Sequence, residues 1–174
     1  MTSRTPTEIL RDEHRIILHA LEVLERATER APGDGWWVDT IAWLRAFADD
    51  NHHAKEETAL FPAMVKAGVP SEGGPIAVML AEHEEGRRLI RAMEASTGAA
   101  RVTACRAYVS LLRAHIDKEN EILFPLADAV LDERAMDELG RHFEAVRLEQ
   151  GAAATIAAAD AAVARLEAAV DASA

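Results

Sequence analysis

Apolar residues recur at helical spacing in six stretches of the chain, and short breaker segments separate them. Leu10, Ile17, Leu18, Leu21 and Leu24 form the first stripe. Thr5-Pro6-Thr7-Glu8 precedes it with a hydroxyl cap, an early proline and an acidic first turn, so a helix is predicted over about 7–28. Ala31-Pro32-Gly33-Asp34-Gly35 interrupts the pattern. A second helix is predicted over about 36–67, with Ile41, Leu44, Ala48, Ala59 and Ala63 on one face and Trp36, Trp37 and Trp43 as its anchors. Pro62 lies inside this stretch and predicts a kink or a break. The longest breaker, Gly68 to Pro75, separates two sequence halves. Helices are then predicted over about 76–96 and 101–131, on the stripes Ile76, Met79, Leu80, Ile90, Met93 and Tyr108, Leu111, Leu112, Ile122, Leu126. A fifth covers about 132–150, with Met136, Leu139, Phe143 and Val146 on one face. A sixth, Ala-rich, covers about 152–170. Its Ile156, Ala159, Val163, Leu166 and Val170 are spaced for docking on the preceding helices or on another subunit, and residues 171–174 are expected to fray.

Six residues on these apolar faces are out of place. His14, His52, Glu56, His83, His115 and Glu119 all project onto the stripes of the first four helices. A buried imidazole needs a partner, and a buried carboxylate is costlier still. One such residue is unremarkable, because a lone His on an apolar face is usually a satisfied core residue. Six cannot easily satisfy one another, and a divalent metal resolves the conflict. The positions are also ordered. His52 to Pro62 and His115 to Pro125 share the ungapped frame H-x-x-K-E-x-x-x-L-F-P, and Glu-His pairs at 13–14 and 82–83 begin the other two members of the set. His and Glu at i and i+4 lie on one helix face, a turn apart. A symmetric His/Glu set on four helices suits a two-metal carboxylate site. His14 with His52 would serve one ion and His83 with His115 the other, with Glu56 and Glu119 bridging. Few protein ligands per ion leave room for an oxo or hydroxo bridge and an external ligand. The nitrogen and oxygen donors suit iron, manganese or zinc.

Composition narrows the function classes. A chain of 174 residues is long enough for one substantial core. The net charge of -11 argues against binding nucleic acid or an anionic membrane surface. No apolar run has the length of a membrane span, no signal-peptide pattern opens the chain, and a single cysteine excludes an intrachain disulfide, so a cytoplasmic location is expected. Cys105 reads as a small core residue.

With these motifs the chain resembles the hemerythrin-like, or HHE cation-binding, family over roughly residues 7–131. The resemblance rests on Glu13-His14, His52-xxx-Glu56 with Leu60-Phe61-Pro62, Glu82-His83, and His115-xxx-Glu119 with Leu123-Phe124-Pro125. It implies an up-down-up-down four-helix bundle, placed here over 1–131, while the helical stripes beyond it read as a two-helix C-terminal extension over 132–174, so an all-α protein is expected. It also implies an oxo- or hydroxo-bridged pair of iron ions that binds or reduces oxygen, nitric oxide or peroxide. The oxygen carriers of the family have a second histidine one turn after the first on the third helix, where this chain has Arg87. They have an aspartate five residues after the fourth helix's histidine, where it has Asn120, with Glu119 one position earlier. The pattern is closer to divergent bacterial members with roles in iron handling, nitric oxide response, iron–sulfur cluster repair or sensing.

Other residues carry weaker claims. His53 and Glu57 lie a quarter turn or more off the stripe; the repeat alignment selects His52, since Ile116 stands in the place of His53. Arg87 is placed by phase to pair with a bridging carboxylate or an anionic ligand, or to face solvent. Tyr108 reads as a core tyrosine with its hydroxyl at the bundle end. Glu13 and Glu82 are either partners that orient histidines or surface charges. His142 and Glu144 read as surface residues of an accessory helix. Three functions compete: a di-iron protein that binds or senses a small diatomic ligand, an oxidase, peroxidase or oxygenase at the same centre, and an interaction protein whose last two helices bind a partner or form a homodimer.

Overall fold

A computed structural model describes residues 4–173, and among these residues all regular structure is helical. Ala174, part of the segment expected to fray, lies outside the described residues. Helix α1 spans Pro6–Arg30. Thr5 caps it through a reciprocal capping box with Glu8, and Pro6 occupies the first turn, where its missing N–H costs nothing. Helix α2 begins as Asp34–Trp43 and continues through π-helical Leu44–His53 and Glu56–Leu60 into Phe61–Lys66. Helix α3 spans Pro75–Ala95. Helix α4 begins as Gly98–Lys118 and continues through π-helical Glu119–Leu123 into Phe124–Val130. Helix α5 spans Glu133–Glu149, capped by Asp132, and α6 spans Ile156–Asp171, capped by Thr155.

Pro62, expected to kink or break α2, widens it instead, and Pro125 does the same in α4. Pro62 and Pro125 have no N–H, and their rings crowd the carbonyl four residues back. The chain answers with an i to i−5 bond just before each proline: the Phe61 N–H donates to the Glu56 carbonyl, and the Phe124 N–H to the Glu119 carbonyl. The L-F-P half of the repeated frame is therefore a device for a π turn, and each π turn starts at the glutamate of the same frame.

Two apolar clusters hold the helices together. One contains Leu10, Leu60, Phe61, Met64, Ile76, Met79, Leu123, Phe124, Leu139 and Phe143. The other contains Ile17, Leu21, Leu24, Trp37, Leu44, Leu89, Tyr108, Leu112, Val163 and Val170. Helix α1 runs from the first cluster to the second, α2 back to the first, α3 to the second and α4 back again. On each of these helices buried polar residues lie between the two clusters: His14, then His52, His53, Lys55 and Glu56, then His83, then His115 and Glu119. Helix α5 adds Leu139 and Phe143 to the first cluster, and α6 adds Ala159, Val163 and Val170 to the second. Polar contacts tie α6 down further: Arg26 pairs with Glu167, Arg30 with Asp171 at 2.8 Å, and the Trp36 indole N–H donates to the Leu166 carbonyl at 2.9 Å.

Candidate metal centre

All six residues selected from the sequence meet in the polar layer between the two clusters, each no more than 1% exposed. His14 comes from α1, His52 and Glu56 from α2, His83 from α3, and His115 and Glu119 from α4. The Nε2 atoms of His14 and His52 lie 3.0 Å apart, and those of His83 and His115 lie 3.1 Å apart. Each glutamate spans both pairs, one oxygen to a pair. Glu119 places Oε2 3.0 Å from His14 and Oε1 3.0 Å from His115. Glu56 places Oε1 3.7 Å from His52 and Oε2 3.4 Å from His83.

Behind each histidine stands an acceptor for its Nδ1–H. His52 donates to Glu13 at 2.9 Å and His115 to Glu82 at 2.9 Å. His14 donates to the Asn120 side-chain carbonyl at 2.9 Å, and His83 to Glu57 at 2.7 Å. These contacts fix the ring orientation and turn Nε2 inward at every position, where a metal ion or a proton can be held. Glu13 and Glu82 thus have the orienting role, one of the two alternatives open from sequence. The repeated lysine has a role as well: Lys55 bonds Glu13, and Lys118 bonds Glu82. The frame H-x-x-K-E therefore encodes a histidine, the lysine that anchors the acidic residue behind it, and the inward glutamate.

The flank residues differ from expectation. His53 is only 5% exposed, and its ring stacks on that of His83 with centroids 3.9 Å apart. Donor atoms of His53, Glu56, His83 and His115 all lie within 4.8 Å of one another, as do those of His14, His52, Glu56 and Glu119. Glu57 is the acceptor behind His83. Arg87 contacts neither bridging carboxylate; it binds Asp49, Glu57 and Glu84. The Tyr108 hydroxyl is deeply buried with no hydrogen-bond partner. His142 on α5 is exposed and lies 3.1 Å from the Thr58 hydroxyl, while Glu144 pairs with Arg147. Cys105 is a buried core thiol whose pKa burial pushes up to about 12, far from the reactive range. One sequence signal for His53 existed: its adjacency to His52 in a segment that proves to be π-helical, where each residue turns through less than the ordinary 100°.

Electrostatics shows what the layer needs. All four oxygens of Glu56 and Glu119 are buried without a hydrogen-bond donor. An uncompensated buried ion costs several kcal/mol, and a domain's whole stability is about 5–15 kcal/mol. Cations must therefore occupy this layer. Without metal, protons take that part. Burial disfavours a charged His83, but the neighbouring Glu56 and Glu57 carboxylates outweigh it and raise its pKa to about 9. His52 is raised too, where the charges of Glu56 and Glu13 overcome burial. Burial would raise Glu119, yet His115 and His14 hold it well below the usual range. The donor set also suits divalent metal: each cluster offers buried imidazole nitrogens and carboxylate oxygens within 4.8 Å of one another.

No helix of the described residues is long and apolar enough to cross a membrane. Comparison with known proteins supplies the family. Residues 5–127 match the hemerythrin HHE cation binding domain. The chain is 38% identical over 92 aligned positions to the iron-sulfur cluster repair protein YtfE of Escherichia coli O81 (strain ED1a), covering 44% of this chain and 40% of that protein. It is 37% identical to the Escherichia fergusonii protein of the same name, with the same coverage. The match thus spans less than half the length of these relatives. No solved structure matches the chain significantly. A match over most of its length, together with paired His/Glu groups able to hold metal, assigns the chain to the hemerythrin HHE cation-binding domain family.

Proposed function

We propose that this chain is a non-haem di-iron protein whose centre binds or senses a small diatomic ligand, oxygen or nitric oxide. The observation that carries the reading is the placement of Glu56 and Glu119, each with one oxygen toward each histidine pair and none satisfied by the protein. The alternating course of α1 to α4 between two apolar clusters supports an up-down-up-down four-helix bundle, with α5 and α6 as the extension. His14, His52, His83, His115, Glu56 and Glu119 would hold two ions, and bound iron would supply redox chemistry and open coordination positions. The protein's own residues do the rest. Glu13, Glu82, Glu57 and Asn120 hold the imidazoles in one orientation, and the two apolar clusters shield the layer from bulk water. The net charge of -11 and the buried centre are consistent with a small uncharged ligand rather than a polyanionic partner.

A second reading comes from the relatives, whose name says that they repair iron–sulfur clusters. There the centre would handle iron in response to cluster damage. One experiment separates the readings. The full chain is loaded anaerobically with ferrous iron, desalted and assayed for iron, then exposed to oxygen or nitric oxide. About two irons per chain, lost in Glu119→Ala, with a spectrum that responds to either gas supports ligand binding. Two irons that ignore both gases but pass to an apo iron–sulfur protein would favour iron handling. Fewer than two irons would remove the binuclear centre altogether.

A further inference from the structure

The internal two-fold of the polar layer is broken behind the histidines, where Asn120 stands in the place of Glu57, and once within the layer itself. Ile116 occupies in the second repeat the place that His53 occupies in the first, and Ile116 is packed into an apolar cluster. His53 is instead turned into the polar layer. Its Nδ1 lies 3.3 Å from Asp49, so its Nε2 is the free donor atom, as at the four other histidines of the layer. Asp49 is itself held by Arg87, whose Nε lies 3.0 Å from both carboxylate oxygens, and the same guanidinium reaches Glu57 behind His83 at 2.6 Å. One arginine thus braces the acceptors of two neighbouring imidazoles. The α2 backbone takes part: the Ala54 N–H reaches back to the Asp49 carbonyl, an i to i−5 bond that lets adjacent residues 52 and 53 both face the interior. A histidine buried, oriented and backed by a fixed carboxylate is built as a ligand rather than as filler.

We infer that His53 is a seventh protein ligand, binding the ion held by His83 and His115, so that the two metal positions are chemically unequal. The inference rests on the di-iron reading above. One side of the centre then has three imidazoles and the other, at His14 and His52, has two.

The test is Mössbauer spectroscopy of the full chain loaded with iron-57, with iron content measured on the same sample. The wild type is expected to hold two irons per chain as two resolved quadrupole doublets of equal area. His53→Ile installs the residue of the mirror position. It is expected to keep two irons, with unchanged far-ultraviolet circular dichroism, and to bring the doublets closer together, the Glu57 and Asn120 difference leaving a smaller separation. Two doublets that persist unchanged in His53→Ile would overturn the assignment while leaving the binuclear centre intact. A single doublet from two irons in the wild type would overturn it without any variant. Fewer than two irons in the wild type would instead defeat the reading on which it rests, and the inference with it.

Discussion

Lys55 and Lys118 occupy the same position of the repeated frame and bond equivalent glutamates, yet their surroundings differ. Lys55 is 1% exposed, donates also to Asn51 at 2.9 Å, and faces Glu13, itself 2% exposed. The side chain of Lys118 is 37% exposed. Lys55→Met keeps the stem's volume and removes the ammonium, stranding the Glu13 carboxylate with only His52 and Asn51. Breaking one side of a buried pair costs about 3–5 kcal/mol. Lys118→Met breaks a pair that water already screens, worth about 0.2–1 kcal/mol. Urea unfolding of the metal-free protein, followed by circular dichroism, converts these costs into midpoints. With a slope of about 2 kcal/mol per molar, Lys55→Met lowers the midpoint by about 1.5–2.5 M and Lys118→Met by less than about 0.5 M. Adding Glu13→Gln to Lys55→Met removes the stranded charge and should recover much of the loss. Equal shifts in the two single variants would refute the reasoning, because it rests wholly on burial.

The protonated histidines give the metal-free protein a pH dependence. His83 is raised from 6.5 to about 9, so its stabilisation is complete below about pH 6.5 and fades as pH rises through about 9. Burial and the nearby His83 push His53 well below 6.5, so its opposing effect is confined to lower pH. Thermal melts should therefore show the metal-free chain losing stability between pH 6.5 and 9, and the iron-loaded chain losing less; a flat metal-free profile would contradict this. A second expectation concerns the π turns. Pro62→Ala restores an N–H that can bond the carbonyl four residues back, drawing α2 toward α-helical geometry. Stability should hold or rise by up to about 1 kcal/mol while iron content falls below two per chain; full iron retention would show that the proline does not set the glutamate's register.

Much of this molecule is legible in the sequence because its signals are local. The Thr5 and Glu8 capping box starts α1 where the residues suggest, and the breaker between 68 and 75 separates the two halves. His14, His52, His83 and His115 fall on apolar stripes, and burial follows from that phase. What escapes a local reading depends on other helices or on helix geometry. An advance of 100° per residue places His53 and Glu57 on the flank, but α2 is π-helical through Leu44–His53 and Glu56–Leu60, and both residues reach the site. Pro62 carries the information for the turn at Glu56–Leu60, but an interior proline predicts a kink or a break rather than a π turn. Asn120 and Glu57 act on histidines of the opposite half, His14 and His83, a crossing that no spacing within one helix discloses. The repeated lysine was visible as a pattern, but its target, the acidic residue before a distant histidine, becomes apparent only once the helices are packed.

The docking of α6 has a consequence for how the protein comes into being. Its contacts with α1 and the start of α2 join residues 130 to 148 positions apart, as in His19 with Glu167, Arg30 with Asp171 and Trp36 with Leu166. At a synthesis rate of about 5–20 residues per second, the apolar flank of α1 waits roughly 10 s or more for its cover. In the later part of that interval, once Glu119 has been made, the nascent chain contains every histidine and glutamate of the polar layer but not the helix that adds Val163 and Val170 to the cluster of Leu21 and Leu24. Until α6 docks, that flank of α1 is open to chaperones.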